Sequence, residues 1–363
     1  MIYLIFASFV LSMVLSAVIL LKTLDIAFKN SLFDKPNERK IHHGNIPRLG
    51  GIALYLSSTI AFILVMGSVF LIDRNEIFTI FSVRYRQLVF FLCAATILFG
   101  FGLYDDLVGL RYRSKFLGQI IAGLLLCLSG VWVKDLHGLF GIHALSPLAG
   151  YPLTIFAVLL ITNAINFIDG IDGLAGSLCA ICLLIDAVFS FCTLLHIELL
   201  ISVSVLATLF PFLYLNIKGK ADRQKKIFMG DTGSLFLGLV IAAIGISISN
   251  IPDAQYGVNT FVLAFSPLIV PCFDVVRVVV LRLYKNKSPF NPDQTHIHHM
   301  LLATVGGQGK VLLILLGISL LMVALSIAIS SAFNIDIVFY ADILVWVVIM
   351  MLIARRKTKK IEK

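Results

Sequence analysis

The sequence predicts an all-α polytopic integral membrane protein with about eleven transmembrane helices, its N-terminus outside and its C-terminus in the cytoplasm. Three observations indicate this fold class. First, 59% of the 363 residues are hydrophobic and only 13% are charged, whereas soluble domains carry about 25% charged residues. Second, the chain contains many apolar stretches of the length that crosses a bilayer. Third, its basic residues are divided very unequally between two sets of loops.

Eleven apolar stretches are long enough to span a membrane, because a hydrocarbon core about 30 Å thick requires about 20 helical residues. No basic residue precedes the first stretch, so we expect it to be retained and not cleaved as a signal peptide. Together the stretches form one transmembrane domain over 1–363, with a basic cytoplasmic tail at 355–363. The predicted spans are residues 2–24, 50–72, 86–104, 116–134, 150–168, 173–193, 197–216, 232–250, 258–281, 311–331 and 336–354.

The basic residues predict the orientation of these spans. With eleven spans the connecting loops alternate between the two sides of the membrane. One set of loops, with the adjoining span ends, holds 25 of the 29 Lys and Arg residues. Cytoplasmic loops carry the positive excess, so this set is predicted to be cytoplasmic. It comprises residues 25–49, 105–115, 169–172, 217–231, 282–310 and the C-terminal tail.

Acidic and histidine side chains are concentrated in the same predicted cytoplasmic loops. They come from five loops that are far apart in sequence, so only folding can bring them together. The other set of loops holds only scattered polar residues. The concentrated residues are Asp34, Asp105, Asp106, Asp169, Asp172, Asp231, His296, His298 and His299.

Asp105 and Asp106 are adjacent carboxylates at the predicted end of the third span. A helix C-terminus already carries partial negative charge, so a cation must compensate for them. One interpretation is a solvated helix end neutralised by Arg111, Arg113 and Lys115. The other is a site for Mg²⁺ or substrate, because hard cations prefer oxygen ligands.

Asn163, Asn166, Asp169 and Asp172 recur every three residues, which places them approximately on one helical stripe. Two asparagines inside an apolar span are costly unless they have partners. They predict either an interhelical hydrogen-bond seam or a substrate cleft. Gly170 and Gly173, each directly after one of the two aspartates, favour the cleft, since glycine permits tight turns and close backbone approach.

Asp231 lies in a Gly-Asp-Thr-Gly-Ser sequence immediately before the eighth span. Asp231 or Thr232 could simply cap that helix. The start of a helix also binds anions through its unpaired N–H groups. An aspartate there could hold Mg²⁺ while the neighbouring amides face a phosphate group.

His296, His298 and His299 form a cluster of three imidazoles in the longest cytoplasmic loop. Zinc is one candidate ligand, but no cysteine or suitably spaced fourth ligand accompanies them. We favour contact with phosphate oxygens, which both protonation states of an imidazole permit near pH 7.

Three further features indicate structure more than chemistry. Cys179 and Cys182 form a C-x-x-C sequence in the middle of an apolar span, which predicts packing without an exposed thiolate. Asp274 and Arg277, three residues apart in the ninth span, indicate a buried ion pair near the inner face. Asp186 in the sixth span has no explanation from the sequence.

These motifs, in this order, resemble the polyprenyl-phosphate N-acetylhexosamine-1-phosphate transferases, the bacterial family that includes WecA, TagO and MraY. The resemblance runs from Asp34-Lys-Pro-Asn-Glu-Arg39 and Pro47-Arg-Leu-Gly-Gly51 through the acidic motifs to the histidines. The Ser288-Pro-Phe-Asn-Pro-Asp293 run before the histidines is most similar to the WecA branch. One position departs from that branch, whose acidic pair is often followed by a third aspartate where this chain has Gly109.

The resemblance implies an enzyme with a cytoplasmic, Mg²⁺-dependent site, with Mn²⁺ as an alternative ion, in the bacterial inner membrane. Such an enzyme transfers sugar 1-phosphate from a UDP-N-acetylhexosamine to undecaprenyl phosphate and releases UMP. It implies membrane lipid but no nucleic acid as a partner, and leaves a homodimer open. The catalytic residues would be Asp105, Asp106, Asp231 and His298, of which Asp231, Asp105 and Asp106 would bind metal. The substrate-binding residues would be Asp34, Arg39, Asn163, Asn166, Asp169, Asp172, His296 and His299.

UDP-N-acetylglucosamine is the donor expected from the WecA branch, and UDP-FucNAc is the alternative. Direct attack by the lipid phosphate is favoured, because the second pKa of a phosphate monoester is about 6 and the acceptor is mostly dianionic at pH 7. A covalent phospho-aspartate intermediate is the alternative route. An ion-coupled transporter would also place acids in a membrane protein, but transporters gather them near the bilayer midplane between repeats.

Overall fold

The computed structural model describes residues 1–33, 45–72, 74–253, 256–288 and 295–361, without the side chains of 69–83 and 357–361. All regular elements of this part of the chain are helices. They are α1 (Ile2–Lys29), α2 (Gly50–Ile72), α3 (Arg74–Val108), α4 (Tyr112–Ser129), α5 (Pro147–Ile168), α6 (Leu174–Cys192), α7 (His196–Leu213), α8 (Gly230–Ser249), α9 (Thr260–Phe265), α10 (Ile269–Tyr284), α11 (Ile297–Val305), α12 (Gln308–Ser330) and α13 (Ile335–Ile361).

Ten helical segments within the described residues are long and apolar enough to cross a membrane. They include α9 and α10 as one segment, Thr260–Tyr284, interrupted by a 3₁₀ turn at Ser266–Leu268. Pro267 lies in this turn and has no N–H group to continue an α-helix. The predicted all-α membrane fold is confirmed, and the spans predicted at 150–168 and 173–193 are separate helices, α5 and α6.

The span predicted at 116–134 is helix α4, which begins earlier, at Tyr112, and ends at Ser129 before a left-handed Gly130. Arg113 and Lys115 in its first turn lower its mean apolarity, so it is not among the ten segments. Its two ends nevertheless lie beside the two ends of α8. Lys115 pairs with Asp231 at the start of α8, and the Lys134 amide bonds to Asn250 just beyond its end. The stretch from α4 to Lys134 therefore runs the length of a membrane-spanning helix.

Helix α8 is the centre of the bundle, and almost all of its residues are buried. It packs against α2, α3 and α5. Glycines permit these contacts, because a side chain at Gly51 or Gly102 would collide with the backbone of α8 at Gly233 or Thr232. The start of α8 is consequently held against the end of α3 and the beginning of α2.

The cysteines and the aspartate predicted within the sixth span are buried in α6. Cys179 and Cys182 are buried, unpaired thiols in α6, as expected for packing residues. Asp186 is buried in the same helix with only 2% of its surface exposed. Nothing in the structure explains a functional role for this carboxyl group.

Candidate active site

The first turn of α8 is capped by a carboxylate from another helix. Asp106, near the end of α3, accepts hydrogen bonds from the backbone N–H groups of Asp231 and Thr232, each at 2.8 Å, and from the Thr232 hydroxyl at 2.5 Å. N–H groups at a helix start have no partner within the helix, so this carboxylate satisfies them. Both Asp106 oxygens are thus engaged by α8, and its predicted roles in catalysis and metal binding stay predictions.

Asp105 and Asp231 converge on a single ammonium group. Lys115, in the first turn of α4, lies 2.7 Å from Asp105 Oδ2 and also contacts Asp231 Oδ2. The side chains of Asp105 and Asp231 are only 12% and 17% exposed. The sequence offers Arg111, Arg113 and Lys115 as neutralising cations, and in the structure it is Lys115 that contacts both carboxylates. This cluster of two carboxylates and one lysine is hereafter called the carboxylate–lysine cluster.

Asn166 joins α5 to the same cluster. Its amide donates to Asp231 Oδ1 at 3.0 Å and to Ser234 Oγ at 2.8 Å. Asn163, one turn away, donates instead to Gln119 Oε1 of α4 at 2.8 Å. The structure therefore gives one asparagine a place in the cleft and the other a place in an interhelical seam. The substrate-binding role predicted for Asn163 stays a prediction.

The turn between α5 and α6 carries Asp169 and Asp172. Burial raises the pKa of Asp169 to about 7, opposed by Arg48 and reinforced by neighbouring carboxylates. Asp172 forms an ion pair with Lys226 at 2.5 Å. Asn216 holds the turn, since it accepts the Gly173 N–H at 2.6 Å and donates to the Ile227 carbonyl at 2.8 Å. Neither Lys226 nor Asn216 was selected from the sequence, since Lys226 lies in a loop without a motif and Asn216 is a single polar residue at the end of the predicted span 197–216.

The Pro47-Arg-Leu-Gly-Gly51 motif lies against the segment that leads into α8. The Phe228 N–H donates to the Pro47 carbonyl at 2.8 Å, and the N–H groups of Gly50 and Gly51 donate to Phe228 and Met229 carbonyls at 2.9 Å. These backbone bonds position the start of α8. The two other residues predicted upstream of this motif, Asp34 and Arg39, lie outside the described residues.

The histidine cluster is held by the ninth predicted span. His296 Nδ1 lies 2.8 Å from Asp274 Oδ2, and Arg277 pairs with Asp274 Oδ1 at 2.7 Å. The ring of His296 packs between Phe167 and His298, with centroid distances of 5.6 Å and 5.8 Å. Through Phe167 the histidines reach the end of α5, next to Asn166. The predicted Asp274–Arg277 pair is present, and His296 completes it.

His298 is 1% exposed and packs against Gly170 in the turn between α5 and α6. Any side chain at Gly170 would collide with the His298 ring. Burial, reinforced by the neighbouring His299 and His296, lowers the pKa of His298 to about 3. His298 is thus uncharged at neutral pH, while its neighbour His299 is half-buried, with ring centroids 4.2 Å apart. The roles predicted for both in catalysis and substrate binding stay predictions.

The donor chemistry of the carboxylate–lysine cluster suits a divalent cation. Two carboxylates already stabilise a positive charge between them, and Mg²⁺ is typically held by one or two carboxylates together with substrate phosphates. In the part of the chain that the structure describes, no three His, Cys, Asp or Glu side chains form a metal cluster. Asp231 and Asp105 fit Mg²⁺ as a site completed by substrate, and zinc at the histidines stays the alternative.

An apolar groove begins beside the cluster. It has a volume of about 500 Å³ and lies between α3 and α4. On α3 its lining extends from Tyr104, next to Asp105, back to Thr96, a distance of about 12 Å along the helix. The Leu110 N–H, at the mouth of the groove, donates to Asp105 Oδ1 at 2.5 Å. The lining residues are Thr96, Ile97, Gly100, Phe101, Tyr104, Leu110 and Ser114.

Comparison with known proteins identifies relatives over most of the chain. Residues 88–249 match the model of a family described as Glycosyl transferase family 4. The chain is 32% identical over 299 residues to a decaprenyl-phosphate N-acetylglucosaminephosphotransferase of Mycobacterium leprae, which covers 77% of this chain and 72% of the relative. It is 30% identical over 280 residues to an undecaprenyl-phosphate alpha-N-acetylglucosaminyl 1-phosphate transferase of Yersinia pestis, covering 76% and 71%. A probable undecaprenyl-phosphate N-acetylglucosaminyl 1-phosphate transferase of Bacillus subtilis is 31% identical over 286 residues, covering 77% and 72%.

Proposed function

The chain belongs to glycosyl transferase family 4, and we propose that it transfers N-acetylglucosamine 1-phosphate from UDP-N-acetylglucosamine to undecaprenyl phosphate, releasing UMP. Relatives named for transfer of this group to a polyprenyl phosphate align with about three quarters of the chain. The chain is a phosphoglycosyltransferase with many membrane spans. We place its product, a polyprenyl-diphosphate sugar, at the first membrane step of a cell-surface polysaccharide.

One observation carries this proposal. The carboxylate–lysine cluster stands at one end of a membrane-spanning bundle, directly beside the mouth of an apolar groove. A polyprenyl phosphate needs both environments at once, because its phosphate requires charged partners and its chain requires an apolar surface. We assign the first isoprene units of the acceptor to the groove and its phosphate to the groove mouth.

The donor requires groups that neutralise a diphosphate. Lys115 contacts Asp231, to which Asn166 donates, and the histidine cluster contacts Phe167, the residue after Asn166. Both supply donors for phosphate oxygens. We propose that Asp231 and Asp105 hold Mg²⁺, with Mn²⁺ as an alternative. A bound ion would neutralise charge on the phosphoryl oxygens and stabilise the departing UMP.

We propose that the reaction is a direct displacement. An oxygen of the lipid phosphate forms a bond to the phosphorus that carries the sugar, and the bond from that phosphorus to the UMP oxygen breaks. No base is required, since the acceptor phosphate is mostly dianionic above its second pKa of about 6. The residues of the site act by positioning and by neutralising charge, which is the main contribution to phosphoryl transfer.

The site is proposed to face the cytoplasm of a bacterium. UDP-sugars are supplied there, and the loops at this end belong to the set that holds 25 of the 29 basic residues. The orientation could be tested by cysteine labelling from outside intact cells, using Lys134 and Lys220 as replaced positions. Labelling at Lys134→Cys and protection at Lys220→Cys are expected.

The proposed reaction is tested with purified protein in detergent. With undecaprenyl phosphate, Mg²⁺ and UDP-N-acetylglucosamine, UMP release equal to lipid-linked sugar is expected. A panel of UDP-sugars that includes UDP-FucNAc identifies the donor, and faster turnover of UDP-FucNAc would reassign it. A burst of UMP without acceptor lipid would replace direct displacement by the covalent route. Absence of UMP release with every donor would contradict the proposed function.

A further inference from the structure

Asp274 is a buried carboxylate outside the carboxylate–lysine cluster. It lies in α10 and is 1% exposed, and besides its ion pair with Arg277 it forms hydrogen bonds to His296 and Ile297. Oδ2 lies 2.8 Å from His296 Nδ1. Oδ1 accepts the Ile297 N–H at 3.0 Å and an Arg277 N–H at 2.7 Å. One side chain therefore contacts both the first histidine of the cluster and the backbone that follows it.

This arrangement determines which nitrogen of His296 carries a proton. An ionised carboxylate only accepts hydrogen bonds, so Nδ1 must donate to Asp274. The other ring nitrogen, Nε2, is then the atom that can face a substrate. In the doubly protonated ring, Nε2 is a donor and can bond to a phosphate oxygen.

Two neighbouring aromatic rings also lie against the imidazole of His296. The Phe167 ring centroid is 5.6 Å away, and the His298 ring is 5.8 Å away with an angle of 12° between the ring planes. Arg277 extends the support to the preceding residue, because its guanidinium donates to the Thr295 carbonyl at 2.6 Å as well as to Asp274. Asp274 and Arg277 of α10 therefore bind the side chain of His296 and the backbone on either side of it.

We propose that Asp274 is a positioning residue for phosphoryl transfer, acting through His296: it fixes the orientation of the imidazole by accepting from Nδ1, so that Nε2 of the protonated ring donates to a phosphate oxygen of the substrate. The inference rests on the proposed function, since it gives His296 a substrate phosphate to contact. It assigns Asp274 no contact with substrate. Asp274 is expected to matter only while an imidazole is present at position 296.

A double-mutant cycle tests this dependence. Asp274→Asn keeps an oxygen acceptor for the Ile297 N–H but removes the charge, and His296→Gln removes the imidazole. We expect Asp274→Asn to lower kcat for UMP release by about 10- to 100-fold, the usual effect of losing a partner that orients a histidine. The KM for the UDP-sugar should change less than kcat. In the His296→Gln background, Asp274→Asn should lower kcat no further.

Asp342 provides the matched control. It is another buried aspartate, 7% exposed, whose carboxylate accepts a hydrogen bond from Ser326, near the end of α12 that is opposite its junction with α11. Asp342→Asn is expected to keep kcat within about twofold. If it lowers kcat as much as Asp274→Asn, loss of a buried carboxylate explains both effects, and the positioning role is overturned.

The possible results of the double-mutant cycle distinguish failure of the positioning role of Asp274 from failure of the proposed transferase function. Losses from Asp274→Asn and His296→Gln that multiply in the double variant overturn the positioning role, since each residue then acts alone. If Asp274→Asn does not give a monodisperse protein, Asp274→Glu is measured in the same cycle. Losses from Asp274→Glu and His296→Gln that multiply in the double variant then overturn the positioning role. If the wild-type protein releases no UMP, the proposed function itself is contradicted. If the wild type is active, the double-mutant cycle tests only the positioning role of Asp274.

Discussion

The two ends of α8 are both rich in polar groups but use them differently. Beyond its C-terminal end, the Asn250 side chain accepts the Lys134 N–H at 3.0 Å and donates to the Trp132 carbonyl at 2.9 Å. His137 binds the Ser249 carbonyl at 2.6 Å. At its start, by contrast, Asp105 and Asp231 converge on the ammonium of Lys115.

This difference distinguishes polar side chains that stabilise the fold from polar side chains that are available to bind a ligand. At the C-terminal end the side chains satisfy main-chain groups that would otherwise be unpaired, which is a requirement of folding. At the start, two carboxylates are held side by side although they repel each other, and the lysine compensates for their charge. Such concentration of like charge near a cleft is characteristic of sites that bind a charged ligand.

The largest expected effect separates the two ends directly. Asp231→Asn removes a charge from the carboxylate–lysine cluster and should lower kcat by about 10²–10³-fold, since preorganised charges act on the transition state. Asn250→Ala should leave kcat within about twofold and lower the free energy of unfolding by about 1–3 kcal/mol, because it leaves main-chain groups unsatisfied. Steady-state UMP release and thermal melts of both variants check this. Equal losses of kcat would remove the distinction between the ends.

A smaller effect is expected from filling the groove beside the cluster. Gly100 lines the groove, and a side chain there would meet no atom within 4 Å. Gly100→Leu should therefore fold normally and displace part of the isoprenoid chain. Loss of about two buried methylene groups costs ~1.6 kcal/mol, which raises the KM for undecaprenyl phosphate about tenfold. The KM for the UDP-sugar should not change.

Gly317 on α12 supplies the control for the groove. It is exposed and also has open space around its Cα. Gly317→Leu adds the same side chain to a membrane-spanning helix away from α3 and α4, and the acceptor KM should stay at the wild-type value. A similar rise in both variants would indicate a general effect on the bundle and not occupancy of the groove.

The smallest effect concerns the pH dependence of stability. His298 has a pKa lowered to about 3 in the folded chain, against an ordinary value of 6.5. Below pH 6.5 the unfolded chain gains a proton that the folded chain does not, so stability is full above pH 6.5 and declines as the pH falls toward 3. At pH 5 the loss is about 2 kcal/mol.

His298→Asn should therefore show a smaller loss of stability between pH 7.5 and pH 5 than the wild type in thermal melts. His143, an exposed histidine near the C-terminal end of α8, provides the control variant His143→Asn, which should retain the wild-type slope. Identical slopes for all three proteins would show that His298 accepts a proton in the folded chain and is not held neutral.

Much of the fold could be predicted because apolar periodicity is a local property. The span predicted at 232–250 is observed as Gly230–Ser249, and the span at 150–168 as Pro147–Ile168. The fourth span was displaced, since Arg113 and Lys115 interrupt its apolar pattern although they lie within the helix. Asp105 of α3 and Asp231 of α8 neutralise the charge of Lys115, and neither partner can be identified from the apolar pattern of α4.

The candidate site was predictable as a collection of residues but not as an arrangement. Two adjacent aspartates look alike in a sequence, yet one caps α8 while its neighbour pairs with Lys115. Two asparagines one turn apart also look alike, and only Asn166 reaches Asp231. A rotation of about 100° per helical residue separates the two aspartates, whereas the two asparagines lie on about the same stripe of α5, one turn apart. In both pairs the packing of adjacent helices determines which residue faces the cleft.

Composition and charge placement determine, without any structure, that this chain spans a membrane and gathers its acids and histidines at one side. Transfer free energies cause this, because apolar helices enter lipid and charged loops remain in water. Which groups meet there depends on the tertiary structure alone. Asp274 and His296 are 22 residues apart in sequence and only 2.8 Å apart in the fold. Hydrogen bonds act over about 3 Å, so specific partners arise only when packed helices bring distant segments together.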